Sequence, residues 1–386
     1  MRRIYLDHSA TSYLREEVLS AMQPYLEGYF GNPSSIHYFG REARRALDDC
    51  RERIANCFRI NPSEVVFTSG GSEADNLAIK GTAWALRERG NHIITSQIEH
   101  HAVLHSCEFL ERQGFRVTYL PVDNEGFVDI SALKKSISSE TILISIMTAN
   151  NEVGTIQDIA EIAKIAESNG IVFHTDAVQA IGHLDLKLDE LPIQLVAISA
   201  HKFYGPKGVG ALIVREGTKL EPLIHGGGQE WNRRAGTENL AGIVGLTKAL
   251  ELAKEELPKN SARLSFLRDK LIDGLLEKVD GACLNGPRIN RLPNNVNIAF
   301  RGVDAQALLL QLDLAGICAS SGSACTSGAV EPSHVLKAMG VQPALIRSAV
   351  RLTLGIKTTE EEINLALAKL VEIISYLRSS KTQKRD

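Results

Sequence analysis

The chain has 386 residues, of which 44% are hydrophobic and 23% charged, and its formal net charge at pH 7 is −3. These values are ordinary for a globular enzyme with one large and one smaller domain, and they favour neither a nucleic acid nor a membrane surface as partner. No apolar run reaches the roughly 18 residues of a transmembrane helix, and the first residues lack the apolar core of a secretory signal. The cysteines have no C-x-x-C spacing, which argues against a zinc site or a disulfide framework and favours a reducing compartment. We therefore expect a cytoplasmic enzyme.

The N-terminal part begins with a short apolar segment, and helical spacing of apolar residues predicts helices at 15–25 and 40–58. A strand at 64–68 is then predicted to lead through two glycines into a helix that ends near Glu88. Ser72 has the position of an N-cap residue, with Asp75 in the place of its capping-box partner. A glycine turn before a helix N-terminus suits a phosphate group, although such turns are common.

Strands and helices then alternate, with strands at 92–95, 116–120, 141–147 and 171–174 and helices at 102–113, 130–136 and 158–168. This alternation predicts an α/β fold with a mainly parallel sheet flanked by helices. In such sheets ligands bind beyond the carboxyl ends of the strands. The candidate site residues at predicted strand ends are Gly71, Ser72, His100, Asn151, Asp176 and Lys202.

Two strand ends carry the strongest chemical signal. Strands at 194–199 and 209–214 flank a turn that holds Ser199, His201 and Lys202, and glycines and a proline fix its backbone. The preceding apolar run ends on Asp176. A lysine can form a Schiff base with pyridoxal phosphate, and an aspartate can keep the pyridine nitrogen of that cofactor protonated. Either residue alone is more often a surface lysine or a helix cap, so it is the pair that indicates this cofactor.

The C-terminal part has a different rhythm. A loop at 229–239 precedes a helix at 240–255. The segment that begins at Pro258 is predicted to end this helix, and a second long helix follows at 262–279. We predict a large cofactor-binding domain of residues 15–257 and a small α+β domain of residues 1–14 and 258–386. The small domain would carry the loop at about 318–332.

Several further polar residues suit a reaction site. His100 can lie against a planar cofactor and transfer protons, although a helix cap is the alternative. Asn150 and Asn151 suit a carboxylate or a cofactor oxygen, or form a plain turn. Cys325 lies among glycines and serines that cannot bury it, which indicates either an accessible thiol or an incidental loop cysteine. Arg351 in an apolar strand needs an anionic partner, for which a carboxylate is the natural choice.

Taken together, these motifs resemble the cysteine desulfurase family, and the likeness extends to about residue 372. The motifs are Ser199-Ala-His-Lys202, Asp176-Ala-Val-Gln179, Glu99-His100, Asn150-Asn-Glu152, Gly226-Gly-Gly-Gln229, Arg234-Ala-Gly-Thr237 and Ser321-Gly-Ser-Ala-Cys325. The family consists of fold-type I pyridoxal phosphate enzymes of aminotransferase class V, normally homodimers. Its members convert L-cysteine to L-alanine and leave the sulfur on an enzyme cysteine as a persulfide.

The resemblance implies a role for each matched residue at the cofactor ring. Lys202 would hold the cofactor as a Schiff base and later move the α-proton of the substrate. Asp176 would pair with the pyridine nitrogen, Gln179 would bond the phenolic oxygen, and His100 would stack on the ring.

The resemblance also implies a phosphate site, a substrate site and a nucleophile. The residues expected at the phosphate are Gly71, Ser72, Ser199, His201 and, from the partner subunit, Thr237. Asn151, also expected at the cofactor, and Arg351 would hold the substrate carboxylate. The Cys325 thiolate would attack the substrate sulfur once the cofactor ring has delocalised the α-carbanion.

The sequence around Cys325 resembles the class with a long, mobile loop that carries the persulfide to an acceptor protein. The other class has a short loop and depends on a dedicated activator. Members that dock an iron–sulfur scaffold usually have a longer C-terminal extension than the one ending here at Asp386, so the acceptor stays open. The alternatives are a selenocysteine lyase or another carbon–sulfur lyase, and, less in keeping with the four retained site residues, a binding protein without turnover.

Overall fold

The computed structural model describes residues 3–321 and 332–382. The helices of these residues are α1 (Glu16–Glu27), α2 (Tyr38–Phe58), α3 (Gly71–Ala85), α4 (His101–Glu111), α5 (Ile130–Ser136), α6 (Ile159–Ser168), α7 (Leu240–Lys278), α8 (Ala305–Leu314), α9 (His334–Ala338), α10 (Pro343–Ile346) and α11 (Glu360–Thr382). The strands are β1 (Ile4–Tyr5), β2 (Val65–Thr68), β3 (His92–Ser96), β4 (Arg116–Leu120), β5 (Thr141–Ser145), β6 (Val172–Asp176), β7 (Leu195–Ser199), β8 (Gly210–Val214), β9 (Ala282–Leu284), β10 (Asn295–Phe300), β11 (Ile317–Cys318) and β12 (Ala349–Thr353). None of the described helices combines the length and hydrophobicity needed to cross a membrane.

A seven-stranded sheet has the order β2-β8-β7-β6-β5-β3-β4. Strands β3 to β7 pair in parallel, whereas β8 runs antiparallel to both β7 and β2. Every residue of β5 and β7 is buried, as expected for parallel strands covered on both faces. The predicted α/β fold with a mainly parallel sheet is therefore confirmed.

An ion pair covers the exposed edge of this sheet at β2. The Glu230 carboxylate accepts the Phe67 N–H at 2.8 Å, and the Arg51 guanidinium donates to the Val65 carbonyl at 2.5 Å. Arg51 also pairs with Glu230 through two hydrogen bonds of 2.7 and 2.9 Å. The guanidinium stacks between the rings of Phe67 and Trp231 at 4.6 and 4.3 Å. Side chains thus satisfy the Phe67 N–H and the Val65 carbonyl on this edge.

We expect Arg51→Ala to lower the free energy of unfolding by about 3–5 kcal/mol, because it leaves the buried Glu230 carboxylate without its cation. Urea unfolding measures this change. Arg45→Ala is the matched control, since the exposed Arg45–Glu42 pair on the same helix should contribute no more than about 1 kcal/mol. Equal losses in the two variants would contradict a special role for the buried pair.

A second hydrophobic core surrounds the antiparallel sheet β12-β10-β9. The C-terminal half of α7, together with α8 and α11, packs on this core. Ile4 and Leu6 of the N-terminal segment belong to it as well, and β1 pairs in parallel with β11. The division into residues 15–257 and residues 1–14 with 258–386 stays a prediction, which the two separate cores support.

The predicted helix break at Pro258 is wrong. Helix α7 is continuous for 39 residues and contains Pro258. Leu240–Leu250 packs on the core of the seven-stranded sheet and Leu264–Leu275 on the second core. Since tertiary contacts hold both ends, the missing proline hydrogen bond does not interrupt the helix.

Candidate active site

The turn that follows β7 positions Lys202. Gly205 lies so close to Ala200 that a Cβ atom at this glycine would be 2.8 Å from the Ala200 Cβ, so a side chain does not fit there. The half-buried Lys202 amine donates hydrogen bonds to the carbonyl oxygens of Ser9 (2.6 Å) and Ala10 (2.9 Å). The N-terminal segment therefore lies directly on the lysine.

Asp176, the last residue of β6, is the acid expected near Lys202. Its buried carboxylate accepts the Val178 N–H at 2.8 Å. Burial raises the pKa of Asp176 to about 6, and the Val178 N–H and the Lys202 charge oppose this rise. The Gln179 amide donates to the Ser9 carbonyl oxygen at 3.0 Å. Lys202 and Gln179 therefore share one backbone acceptor beside Asp176.

The first turn of α3 lies against the end of β7. A Cβ atom on Gly71 would be 2.7 Å from the Val178 side chain and 3.4 Å from the Ser199 Cβ, so a side chain does not fit there. The N–H groups of a first helical turn have no partner within the helix and suit an anion. Gly71 and Ser199 therefore lie together, as the sequence predicts.

The predicted capping role of Ser72 is wrong. Gly70 is the N-cap residue, with a positive φ of 154° that favours glycine, and Ser72 lies inside the first turn of α3. Asp75 is buried instead of forming a capping box. Ser72 remains at the helix end that was predicted to hold a phosphate.

His201 and Thr237 lie on two separate loops. The His201 Nδ1 is 3.1 Å from the Thr11 hydroxyl. Burial, followed by the Lys202 charge, lowers the pKa of His201 to about 4, so the ring is neutral at pH 7. Thr237 is exposed. Their roles at a phosphate stay predictions.

His100 is the N-cap residue of α4, as the capping alternative predicted. It also lies beside Lys202, so the two interpretations are compatible. Its Nδ1 accepts the Ala102 N–H at 3.1 Å, which leaves the proton of a neutral ring on Nε2. Burial, followed by the charge of Lys202, lowers the pKa of His100 to about 4. The ring is therefore a neutral donor beside the lysine.

The carboxylate of Glu99 fixes the backbone in front of His100. Glu99 is fully buried, accepts the Ser96 hydroxyl at 2.5 Å, and accepts the Met147 N–H with both oxygens at 3.1 Å. Burial raises its pKa to about 8. These contacts join the carboxyl ends of β3 and β5, where His100 and Asn151 begin their loops.

Arg351 meets an anionic partner within the chain. Its Nη2 donates to the Asp7 carboxylate at 2.8 Å, and its Nη1 donates to the Asn151 backbone carbonyl at 3.2 Å. Within the described residues, the Arg351 Nε is buried without a hydrogen-bond partner. Asn150 holds the turn by accepting the backbone N–H of Glu152 at 2.9 Å. The predicted pair of Asn151 and Arg351 therefore lies in contact, with Asp7 as a partner that the sequence did not reveal.

Cys325 lies outside the described residues, as does most of its predicted loop. The described flanks are Ser320, whose backbone pairs with Arg351, and Ser333, whose hydroxyl donates to Glu152 at 2.6 Å. Both ends of the loop therefore begin next to the Arg351 and Asn151 region.

Three residues near Asp176 were not identified as site residues from the sequence, although the sequence pattern could have indicated two of them. His174 precedes Asp176 by two residues on a buried strand, so the period of two places both on one face. Asp75 lies one turn after Gly71, on the same side of α3. The backbone oxygen of Ser9 carried no signal, since any residue type supplies one.

These residues fit pyridoxal phosphate. Lys202 offers an amine for the aldehyde, the Asp176 carboxylate suits a protonated ring nitrogen, and the first turn of α3 offers N–H groups to a phosphate. The close packing of Gly71 against Val178 and Ser199 holds this helix end next to β7. The fold and the site thus have the features of a fold-type I pyridoxal phosphate enzyme.

Known proteins agree with this class. The family model of aminotransferase class V matches residues 4–365. "Cysteine desulfurase IscS" of Dictyoglomus turgidum is 55% identical over 385 residues, which cover 100% of this chain and 98% of that protein. The protein of the same name from Methanosarcina thermophila is 52% identical, over 98% of this chain and 93% of its own. A solved NifS-like protein superimposes with a TM-score of 0.92 at 40% identity, over 97% of this chain and 100% of its own.

The chain therefore belongs to the cysteine desulfurase family of aminotransferase class V. This confirms the family that the sequence motifs predicted.

Proposed function

We propose that this enzyme is a pyridoxal phosphate-dependent cysteine desulfurase that converts L-cysteine to L-alanine and collects the sulfur on Cys325 as a persulfide. The observation that carries the proposal is the convergence of Lys202 and Asp176 with the first turn of α3 at the carboxyl edge of one sheet. Relatives that have the name cysteine desulfurase and are identical to this chain at more than half of the aligned residues support it.

The side chains of the site divide the work of binding and proton transfer. When bound, pyridoxal phosphate supplies an electron sink for the electron pair of the substrate α-carbon. The Lys202 amine takes the α-proton, and the neutral His100 ring keeps a donor at Nε2 beside it. Arg351 and Asn151 hold the substrate carboxylate, which fixes the α-carbon near Lys202.

Sulfur transfer then requires Cys325 as a thiolate. Its sulfur attacks the substrate sulfur, and the sulfur–sulfur bond forms as the carbon–sulfur bond breaks. The electron pair of the broken bond stays on the β-carbon, which takes up a proton and becomes the methyl group of alanine. The persulfide then passes to a thiol of an acceptor protein, such as an iron–sulfur scaffold.

The enzyme acts as a homodimer in this proposal, with Thr237 reaching the phosphate in the partner subunit. A cluster of exposed aromatic and aliphatic residues near the start of α2 supports such an interface, namely Phe30, Ile36, Tyr38 and Phe39. The cytoplasm is the proposed compartment, and the five cysteines of the described residues, all free thiols, suit its reducing conditions.

Product analysis tests the function. With a thiol reductant present to reduce the enzyme persulfide, the holoenzyme should release equal amounts of L-alanine and sulfide from L-cysteine. A selenocysteine lyase would instead act on L-selenocysteine and leave L-cysteine unchanged. Absence of alanine from both substrates would reject the proposal.

We expect Arg351→Ala to raise KM for L-cysteine by the loss of a charge-assisted pair, worth about 2–4 kcal/mol, with a smaller effect on kcat. Steady-state kinetics on protein that retains its cofactor absorbance measures this. Arg347→Ala, an exposed arginine four residues earlier, is the matched control. The single variant leaves the Asp7 carboxylate without its partner, and the double variant Asp7→Asn with Arg351→Ala removes that charge. Comparison of the two variants therefore separates a folding defect from lost substrate binding. An unaltered KM would remove Arg351 from the carboxylate site.

A further inference from the structure

Two buried ionisable side chains next to Asp176 have no role in the reaction described above. Asp75 lies on α3, the helix whose first turn faces Ser199, and His174 lies on β6. Their exposed fractions are 1% and 0%. Both sit on elements that carry proposed cofactor residues.

The geometry joins these side chains to the site. The Asp75 Oδ1 is 3.5 Å from the His174 Nε2, and the His174 Nδ1 is 2.8 Å from the Ser145 hydroxyl. Among the described residues, neither the Asp75 Oδ1 nor the His174 Nε2 has a hydrogen-bond partner. One carboxylate oxygen of Asp75, one of Asp176 and one ring nitrogen of His100 lie within 4.8 Å of one another.

Two carboxylates in one buried site cannot both be ionised, so one of them holds a proton. Asp176 has the Val178 N–H and the Lys202 charge to stabilise its anion. Within the described part of the chain Asp75 has no such partner, and burial, followed by the charge of Asp176, raises its pKa well above the usual range.

The remaining groups that face Asp75 do not change this balance. Burial lowers the pKa of His174 to about 3, and burial with Lys202 lowers that of His100 to about 4, so both rings are neutral at pH 7. The Lys202 charge lies on the side of Asp176. The proton of the two carboxylates therefore belongs to Asp75.

We propose that Asp75 is a positioning residue of the cofactor site, a neutral carboxylic acid that keeps the single negative charge of the pair on Asp176. The Asp75 proton faces the His174 Nε2, which has no hydrogen-bond partner among the described residues. The other ring nitrogen of His174 contacts the Ser145 hydroxyl. The inference rests on the proposed function, because it assigns to Asp176 the ring nitrogen of pyridoxal phosphate.

This arrangement affects the bound cofactor through Asp176. The substitution Asp75→Leu would replace a polar carboxyl within 4.8 Å of the Asp176 carboxylate by an apolar side chain, so the Asp176 anion would be less stable and would attract the ring-nitrogen proton more strongly. The ring then carries less positive charge, and the Schiff-base nitrogen on Lys202 holds its proton more tightly. The pKa of the visible chromophore should therefore rise, which a purely structural role of Asp75 would not cause.

The test compares two replacements of Asp75 in the pyridoxal phosphate holoenzyme. Asp75→Asn keeps a neutral donor, and we expect its chromophore pKa to stay within about 0.3 unit of the wild-type value. Asp75→Leu removes the donor and should raise that pKa by about half a unit or more and speed cofactor release about tenfold. Thr82→Val is the matched control, because Thr82 is a buried polar residue on the same helix whose hydroxyl has no hydrogen-bond partner among the described residues.

Absorbance against pH and the rate of pyridoxal phosphate loss give both readouts without turnover. A large shift in Asp75→Asn would mean that Asp75 is ionised, which overturns the inference. An unchanged chromophore in Asp75→Leu, with only a lower Tm like that of Thr82→Val, would overturn it as well. If wild-type protein formed no chromophore with pyridoxal phosphate, the proposed function itself would fail.

Discussion

Lys202→Ala is expected to abolish the covalent chromophore and to lower kcat for L-cysteine by about three to four orders of magnitude or more. The lysine supplies both the Schiff base and the base that moves the α-proton. Its amine donates hydrogen bonds to the carbonyl oxygens of Ser9 and Ala10, which fix its position in the site. Borohydride reduction followed by peptide mass spectrometry locates the attached cofactor.

The matched control is Lys207→Ala, since Lys207 is exposed on the same turn, five residues later. This variant should keep the chromophore and the activity. A borohydride-stable adduct on another lysine in Lys202→Ala would move the Schiff base elsewhere. The assignment of Asp176 to the ring nitrogen, which depends on a cofactor attached at Lys202, would then fail as well.

The strand-end residues could be predicted because their signals are local. An apolar run that stops at Asp176, and another that stops before Lys202, already identify two strand ends. The rule that parallel strands meet at one edge then places both residues together. The register of β6 against β7, with Asp176 opposite Ala197, provides the physical basis.

Contacts between distant parts of the chain could not be predicted in this way. Arg351 was expected to need an anion, but its partner Asp7 is 344 residues earlier. The short apolar segment that contains Asp7 gave no indication of this contact. Asp75 and His174 meet only because α3 packs across β6. No pattern within either element specifies that packing.

Two local rules failed where the surrounding structure overrides them. Pro258 does not end α7, because two separate cores hold the helix on both sides of it. Ser72 does not cap α3, because Gly70 and Gly71 pack closely against β7 and β8 and the helix starts two residues earlier than a cap at Ser72 would require. In both cases tertiary packing contributes more than the local preference.

Cys325→Ser is expected to lower alanine formation from L-cysteine by about two orders of magnitude or more, with the cofactor still bound. A serine hydroxyl cannot accept sulfur as a persulfide, so the carbon–sulfur bond lacks its nucleophile. Alanine and sulfide are measured together, and mass spectrometry of the wild-type peptide should find one added sulfur on Cys325 after L-cysteine treatment.

Cys318→Ser is the matched control, because Cys318 lies on β11, paired with β1, and is half-buried. It should retain activity and accept no sulfur. If Cys325→Ser releases alanine as fast as wild type, the enzyme is a lyase that needs no persulfide, and the loop cysteine is incidental. If only Cys325→Ser fails, sulfur leaves the substrate by transfer to this thiol. The acceptor protein must then bring its own thiol to Cys325.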